Sequence, residues 1–367
     1  MIVLGLTPTG VLSGAERVLV RHARAGLSRG DRWSIACPDG PAGDQIDREG
    51  ITRVRIPELK LGGGPRAMAA VWLIANNARA LVAVWRAARR ADVVVANSVL
   101  CLPLLRLVRL LGVRTPVVWL VHDVITRPDL ARMARWSASV VDRSIPVSEA
   151  SAALSRSMGI PTTVVRNGVM PRDEPAFEST GDPVIGLNAV LTSWKGQHVL
   201  LDALAMVDPP ARVELLGGTL PKDGPYEESL RRRAAEPDLE GRVRFLGHSE
   251  DTDAVMRHWT IAVSASVEPE AGPLSVLEAM SLGLPVIVTN HGGAPEIATG
   301  AGLVVEPADP VALAEAISRL VADADRRREL GAAGRALVAE YLRSDRLEAD
   351  FRTTVRDAAA AGETMAG

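Results

Sequence analysis

Cysteine and aromatic residues are scarce in this chain. Its 367 residues include two cysteines, Cys37 and Cys101, and aromatic residues make up 3% of the total. Two isolated cysteines fit neither a disulfide framework nor the ligand spacing of a metal site. We therefore expect reduced thiols and no metal.

The chain also lacks an excess of charge of either sign. Lys and Arg total 42 against 44 Asp and Glu, for a formal net charge of −2. Without a basic surplus there is no field to hold a polyanion, so the composition argues against a nucleic-acid partner.

Long hydrophobic runs are missing as well. The longest Arg-free apolar stretch covers 67–78, includes two asparagines and is too short to span a bilayer. The chain opens on Met1-Ile-Val-Leu-Gly, with no basic segment and no cleavage site of an export signal. These features predict a cytoplasmic protein.

What the sequence does contain is a regular alternation of strand-like and helical patterns. The length of 367 residues favours two domains, and with 47% hydrophobic residues each domain can bury a core of its own. Unbroken Val/Ile/Leu runs between helical segments predict α/β domains with doubly wound parallel sheets. The predicted strands are Ile2–Leu6, Trp33–Cys37, Arg53–Ile56, Val93–Ala96, Pro116–Val121, Val140–Val147, Thr163–Arg166, Val184–Leu187, Arg212–Leu216, Val243–Leu246, Thr260–Ser264, Pro285–Val288 and Leu303–Val305. The predicted helices are 14–29, 66–90, 99–111, 129–137, 149–158, 196–207, 225–236, 250–258, 273–282, 294–299 and 310–340.

The alternation breaks once, in a polar, Pro-rich stretch. We place a linker at 173–182, between an N-terminal domain, 1–172, and a C-terminal domain, 183–345. Whether the last segment, 346–367, returns to the first domain is left open. Ligands of open α/β sheets bind beyond the carboxyl ends of the strands, so we expect the chemistry in a central cleft that the two domains face.

Two glutamates flank a predicted helix start in the second half. Glu270 precedes the helix and Glu278 lies inside it, with Gly272 as the expected cap and Pro273 at the first helical position. Free N–H groups at a helix start bind anions, and the carboxylates would then hold polyol hydroxyls. The alternative is a helix-dipole partner and an ordinary surface Glu.

Lys195 stands out because the chain has only three lysines against many arginines, a bias typical of a GC-rich bacterial genome. It follows a strand in Trp-Lys-Gly-Gln, where a compact ammonium suits a phosphate. The alternative is a solvated Lys at a helix start.

The first half offers two weaker sites. Gly14 and Glu16 open a helix after the first strand, where Glu16 is either a ligand or a helix-dipole partner. His122 and Asp123 end a hydrophobic strand, the place where α/β proteins put functional groups, although an isolated His is more often structural.

These motifs resemble the retaining glycosyltransferases of family 4, whose GT-B architecture has two Rossmann-like domains. Glu270, seven residues, then Glu278-Ala-Met matches their signature. The resemblance implies that Glu270 contacts the donor sugar and Glu278 the ribose. It also implies that backbone amides at Gly272, Leu274 and Ser275 bind sugar and phosphate, while Pro273 lacks an N–H.

The same resemblance assigns the remaining positions. Lys195 would bind the donor diphosphate, and His122 the transferred sugar. Gly217, Gly247 and His248 would lie beside the nucleotide, and Gly14, Glu16 and Asp123 in the acceptor and phosphate loop. Val190 stands where the family normally has an Arg.

The activity implied is a retaining, metal-independent transfer of a hexose-like sugar from a nucleoside diphosphate to an acceptor hydroxyl. No cofactor is expected besides that co-substrate. A small natural-product acceptor, such as an aminocyclitol, or a glycan is favoured, and peripheral membrane contact is left open but not favoured. Two alternatives remain: a catalytically silent partner subunit that binds nucleotide sugars, and a nucleotide-sugar epimerase of the same architecture.

Overall fold

The structure, a computed structural model, describes residues 1–59, 78–173, 176, 181–208, 210–220 and 223–366, with the backbone alone at 363–366. The chain forms two compact units. Unit 1 comprises Met1–Arg166 and the C-terminal segment from Asp345, and unit 2 comprises Asn167–Ser344.

Unit 1 is built on a six-stranded sheet in the order β3-β2-β1-β4-β5-β6, in which every pair is parallel. Its strands are β1 (Ile2–Leu6), β2 (Arg32–Cys37), β3 (Thr52–Arg55), β4 (Val93–Ala96), β5 (Val117–Val121) and β6 (Arg143–Pro146). The helices between them are α1 (Gly14–Ser28), α2 (Pro41–Arg48), α3 (78–88 as described), α4 (Leu102–Leu110), α5 (Pro128–Ser137) and α6 (Glu149–Ser157).

Unit 2 repeats this plan with a parallel sheet in the order β12-β11-β10-β7-β8-β9. Its strands are β7 (Val184–Asn188), β8 (Arg212–Leu216), β9 (Val243–Gly247), β10 (Ile261–Ser264), β11 (Val286–Thr289) and β12 (Gly302–Val305). Its helices are α7 (Gln197–Leu204), α8 (Gly224–Ala234), α9 (Thr252–Met256), α10 (Leu274–Ser281), α11 (Ala294–Ala298), α12 (Pro310–Ala322) and α13 (Ala324–Tyr341).

Each sheet has a hydrophobic core on both faces. In β4, Val93 and Val95 belong to one buried cluster of unit 1, and Val94 and Ala96 to the other. In unit 2 the same division separates the two faces of β11. Side chains of a strand alternate between faces, so only a run without polar residues fills both cores. The predicted α/β class with two Rossmann-like sheets is confirmed.

The last helix, α14 (Ser344–Ala366), packs on unit 1 through the residues that follow its first turn. Phe351 is 1% exposed and stacks on His22 with ring centroids 3.8 Å apart. Arg352 donates to both oxygens of Asp31, at 2.6 and 2.9 Å. The ring stack and the bidentate ion pair attach this helix to unit 1.

The boundary between the units differs from the predicted linker. It falls between Arg166 and Asn167, and the described part of 173–182 packs on unit 2. Next to it, Arg172 pairs with Asp253, and the Ala176 N–H donates to the Leu282 carbonyl at 2.7 Å. The stretch is therefore anchored rather than free, although its composition is that of a linker. Residues 174–175 and 177–180 lie outside the described residues.

Two predicted elements also need correction. Thr163–Arg166 is not a strand: an isolated bridge joins Ser144 to Thr162 just before it, and the segment itself donates to β6 only from Thr163 and Val165. The single helix predicted over 310–340 is two, since Asp323 ends α12 and its side chain caps α13 at the Arg326 N–H. α2 was not predicted at all. Of the helix predicted at 66–90, residues 66–77 lie outside the described part.

Candidate functional site

The best-supported site lies where the strand order of unit 2 changes direction, between β10 and β7. Such a switch point opens a crevice at the carboxyl ends of the two strands. Lys195 follows β7 and Glu270 follows β10, so both candidate residues lie on loops that leave this edge.

The side chains of Lys195 and Glu270 form an ion pair. Lys195 Nζ donates to Glu270 Oε2, and the Ser266 hydroxyl donates to Oε1. The two side chains are only 17% and 11% exposed. Because partly desolvated charges are costly without a partner, each one compensates the other. The two residues were assigned to different parts of a ligand, and the structure brings them together.

A glycine allows the two loops to approach each other. Gly196 follows Lys195 with φ +71°, a conformation that L side chains rarely adopt. A Cβ there would lie 1.9 Å from the Ala265 carbonyl oxygen. The Val267 N–H also donates to the Trp194 carbonyl at 2.8 Å. Trp-Lys-Gly therefore docks on the segment that leads to Glu270.

Two further glycines, Gly292 and Gly293, hold the backbone of Glu270. The Gly293 N–H donates to the Glu270 carbonyl at 2.7 Å. Gly292 has φ +65°, and a Cβ on it would lie 2.2 Å from the same carbonyl oxygen. The backbone of Glu270 is thus fixed by the loop after β11.

α10 starts one residue later than predicted. Leu274 is its first residue, and Pro273 is the N-cap rather than the first helical position. No side chain caps this start. The first N–H groups of a helix have no partner within the helix, so those of Leu274 and Ser275 are suited to an external acceptor. The Gly272 carbonyl accepts from Asn167 Nδ2 at 2.8 Å, which fixes the turn before the helix.

Glu278 lies one turn into α10, opposite the end of β7. Asn188, the last residue of β7, places its Nδ2 3.5 Å from Glu278 Oε2. A small cavity lies between strand and helix, lined by Asn188 and Ser275 among others. Glu278 therefore shares the switch-point edge with Lys195 and Glu270.

The loops after β8 and β9 carry the next candidates. Gly217 has φ +144°, and a Cβ on it would lie 2.0 Å from the Ala189 carbonyl oxygen. Its N–H donates to Gly247 at 2.8 Å. Gly247 and His248 are exposed. Gly217 thus borders the loop after β7, and Gly247 lies next to it.

Val190 lies beyond the end of β7 and is 41% exposed. Its carbonyl accepts from the buried Gln197 side chain at 3.0 Å. The position is therefore a surface loop and not a core strand, so a larger or charged side chain would fit there.

In unit 1, Glu16 has a structural task. Its Oε1 accepts from the Thr7 hydroxyl at 2.9 Å, and its Oε2 accepts from the Ser13 N–H at 3.2 Å in a capping box at the start of α1. The residue is 5% exposed. Both carboxylate oxygens are thus engaged by the protein, as expected for the helix-partner interpretation. Gly14, the first residue of α1, is exposed.

His122 follows β5, and its Nε2 lies 3.0 Å from the Oδ1 of Asn97, a residue that sequence analysis missed. Burial, with a smaller contribution from the charge of Arg21, lowers the pKa of His122 to about 4. The imidazole is therefore neutral near pH 7. Asp123 is exposed, and no hydrogen bond joins its carboxylate to the His122 ring.

Unit 1 also carries an exposed apolar cluster among arginines. Leu110, Leu111 and Trp136, at the ends of α4 and α5, are 74%, 55% and 53% exposed. The Arg106 guanidinium lies 4.4 Å from the centroid of a Trp136 ring. The opposite side of α4 is buried in a hydrophobic core of unit 1. We call Arg106, Leu110, Leu111 and Trp136 the basic–apolar surface.

Within 1–59, 78–173 and the later described ranges, no three His, Cys, Asp or Glu side chains cluster as metal ligands would. In the same part of the chain, no helix combines the length and apolar character needed to cross a bilayer.

Comparison with known families covers nearly the whole chain. Residues 12–172 match the model of Glycosyltransferase Family 4, and residues 172–337 match that of Glycosyl transferases group 1. A crystal structure of HepE from Anabaena, in complex with UDP-glucose, superposes with a TM-score of 0.83 at 23% identity and covers 97% of this chain and 100% of that one. This likeness shows the fold.

Two curated relatives are mannosyltransferases. A GDP-mannose-dependent monoacylated α-(1-6)-phosphatidylinositol monomannoside mannosyltransferase of Corynebacterium glutamicum is 39% identical over 168 residues, which is 42% of each chain. A GDP-mannose-dependent α-(1-6)-phosphatidylinositol monomannoside mannosyltransferase of Mycobacterium tuberculosis is 34% identical over 189 residues, 47% of each. The matched segments thus span a little under half of these relatives.

Proposed function

Because this chain belongs to the glycosyltransferases of family 4 and group 1, we propose that it is a retaining, metal-independent enzyme that transfers a hexose-like sugar from a nucleoside diphosphate to an acceptor hydroxyl. The observation that carries the proposal is the Lys195–Glu270 pair at the switch point of unit 2. It places a cation for phosphate beside a carboxylate for sugar hydroxyls, next to an uncapped helix start.

Donor binding would exchange the partners of this ion pair. The diphosphate takes Lys195 and the N–H groups at the start of α10, and the sugar hydroxyls take Glu270 in return. The pair thus keeps both charges compensated in the empty site and offers each to one half of the donor. Ser266 stays on Glu270 throughout and preserves its orientation.

The chemical step breaks the bond between the anomeric carbon and the phosphate oxygen. The acceptor oxygen forms the new bond on the same face, and its proton passes to the leaving phosphate. The charge that develops on the diphosphate is stabilised by the ammonium of Lys195 and the N–H groups of Leu274 and Ser275, which are oriented before the reaction. His122, on unit 1, would hold a substrate hydroxyl.

The test is an assay of the purified protein with GDP-mannose, UDP-glucose and other sugar nucleotides in the presence of a chelator. Acceptor-dependent release of the nucleoside diphosphate is expected. Binding without turnover would instead identify a silent partner subunit, and isomerised donor would identify an epimerase.

The acceptor we propose is linked to a lipid. The sequence favours a small or glycan acceptor, but the basic–apolar surface and the relatives named for phosphatidylinositol monomannoside support a membrane substrate. Exposed Leu and Trp beside Arg suit the interface of an anionic bilayer.

We expect the protein to co-sediment with phosphatidylglycerol-containing vesicles, and the variant Leu110→Ser/Leu111→Ser to lose most of that binding. The two most exposed apolar side chains of this surface are removed, while Trp136 and every Arg remain. Val311→Ser, at a position in unit 2 that is 54% exposed, is the matched control and should bind normally. Absence of vesicle binding at low salt would remove lipid-linked acceptors from the proposal.

Glu278→Ala is expected to weaken binding of the nucleoside diphosphate by about 1–3 kcal/mol, the scale for losing a hydrogen bond to a charged group. Glu278 faces the end of β7 at the site, with Asn188 beside it. Calorimetry with GDP and UDP makes the measurement. Glu268→Ala removes the same charge from an exposed position of the neighbouring loop and should leave affinity unchanged. Equal behaviour of the two variants would contradict the ribose assignment.

A further inference from the structure

The pairing of Asn97 with His122 joins the ends of two neighbouring strands of unit 1. Asn97 directly follows β4, and His122 directly follows β5. Parallel pairing of these strands brings the two side chains to the same edge of the sheet. Asn97 is 2% exposed, and its Nδ2 is buried without a hydrogen-bond partner among the described residues, so His122 is the one partner of its side chain there.

The contact determines which imidazole nitrogen carries the proton. Asn97 Oδ1 is an amide oxygen and can only accept, and it lies 3.0 Å from His122 Nε2. With the amide in this orientation, the hydrogen sits on Nε2. In a neutral imidazole this leaves Nδ1 as a bare acceptor, and no described residue donates to it.

The surroundings keep the ring neutral. The charge of Arg21 on α1 disfavours a second positive charge on the ring. His22 is the neighbouring imidazole of α1, and it is neutral near pH 7 because burial holds its pKa well below its ordinary value. Arg21 itself pairs with Glu348 of α14 at 3.2 Å. Asp123 is the neighbouring acid, but its exposed carboxylate makes no hydrogen bond to the imidazole. Burial is the larger cause of the low pKa, about 4.

We infer that Asn97 is a positioning residue that holds His122 as the neutral tautomer protonated on Nε2, so that Nδ1 accepts a hydrogen bond from a substrate hydroxyl. This inference rests on the proposed function for the identity of that hydroxyl. A neutral acceptor discriminates: it takes a hydroxyl hydrogen, whereas an imidazolium would donate and favour an anion.

The tautomer can be measured directly on the full-length protein. Nitrogen-15 NMR of histidine-labelled protein near pH 7 should show the proton of His122 on Nε2 and an imine-type Nδ1. A proton on Nδ1 would mean that Asn97 donates through its amide nitrogen instead, and this would overturn the inference. The measurement needs no variant and no activity.

Asn97→Asp tests the positioning role. A carboxylate facing Nε2 stabilises the imidazolium, so the pKa of His122 should rise by about two units or more. The acid limb of kcat should move up with it, with turnover at pH 5.5 falling about fourfold relative to pH 8 once the pKa reaches about 6, because activity is lost as pH drops through the raised pKa. Wild type should be flat over this range. Asn290→Asp, an exposed change in unit 2, should leave the pKa of His122 unshifted.

An unshifted His122 pKa in folded Asn97→Asp would overturn the inference. If that variant does not fold, Asn97→Ala replaces it, and a mixture of the two tautomers is expected because the acceptor is gone. A pure Nε2 tautomer in Asn97→Ala would overturn the inference equally. If the wild-type protein shows the stated tautomer but no transferase activity, the result would count against the proposed function alone.

Discussion

Lys195→Met is expected to lower kcat/KM by roughly 10²–10³-fold, the scale for removing one preorganised group that stabilises developing charge. Lys195 is 17% exposed and points its ammonium into the site. Residue 190, where the resemblance to family 4 leads us to expect a second cation, is Val, so no Arg at 190 compensates the loss. Steady-state kinetics with the preferred sugar nucleotide make the measurement.

A double variant separates this effect from folding. Lys195→Met leaves Glu270 as a largely buried, unpaired carboxylate, which itself lowers stability. Lys195→Met/Glu270→Gln removes both charges and should recover the melting temperature but not the activity. Val190→Arg in the Lys195→Met background should restore part of the nucleotide affinity, because residue 190 lies on an exposed loop. Full activity in the double variant would contradict the role of Lys195.

Glu270→Gln is expected to lower kcat by roughly 10²-fold while nucleoside diphosphate affinity stays equal or becomes tighter, since its charge serves the sugar alone. The amide keeps the shape of the side chain and can still accept from Ser266. Lys195 loses its partner and is freed for the phosphate. This combination of slower turnover and undiminished nucleotide binding is the signature of the proposed exchange of partners.

For Glu270→Gln, the change in nucleotide affinity, measured by calorimetry, is compared with the change in kcat, both relative to wild type. A fall in affinity as large as the fall in turnover would mean that Glu270 and Glu278 have been assigned the wrong roles. Gln was chosen over Ala because a cavity beside Lys195 would confuse the comparison.

Much of the site is predictable from local sequence. Glu270 and Glu278 are recognisable by their spacing around a helix start, and Lys195 by its rarity and its place after a strand. The role of Glu16 is also readable, because Ser13 three residues before it makes a capping box. Local patterns report on local structure, and these features need nothing more.

Contacts between distant segments are not predictable in this way. Lys195 and Glu270 meet only because β7 and β10 are neighbours in the sheet, and strand order is not written in either motif. Asn97 was missed for the same reason: its importance comes from β4 pairing with β5. The only local signal is an amide residue at the carboxyl end of a buried strand.

The exact position of the domain boundary was not predictable for a different reason: the units divide between Arg166 and Asn167, a few residues before the predicted linker. The stretch after Val169 is polar and rich in Pro, yet Arg172 is bound by Asp253 and accepts from Arg335 through its carbonyl at 3.1 Å. Composition describes what a segment would do in isolation. Tertiary contacts made by charged side chains override it.

Proton NMR of the transfer reaction tests the central claim most directly. The reaction contains purified protein, a chelator, GDP-mannose or UDP-glucose, and a lipid-linked acceptor in vesicles. Its proton spectrum is recorded from the first turnovers. We predict that the nucleoside diphosphate appears together with a new glycoside whose anomeric configuration equals that of the donor. An inverted product, a donor epimer, or bound donor that is never consumed in the presence of acceptor would contradict the account.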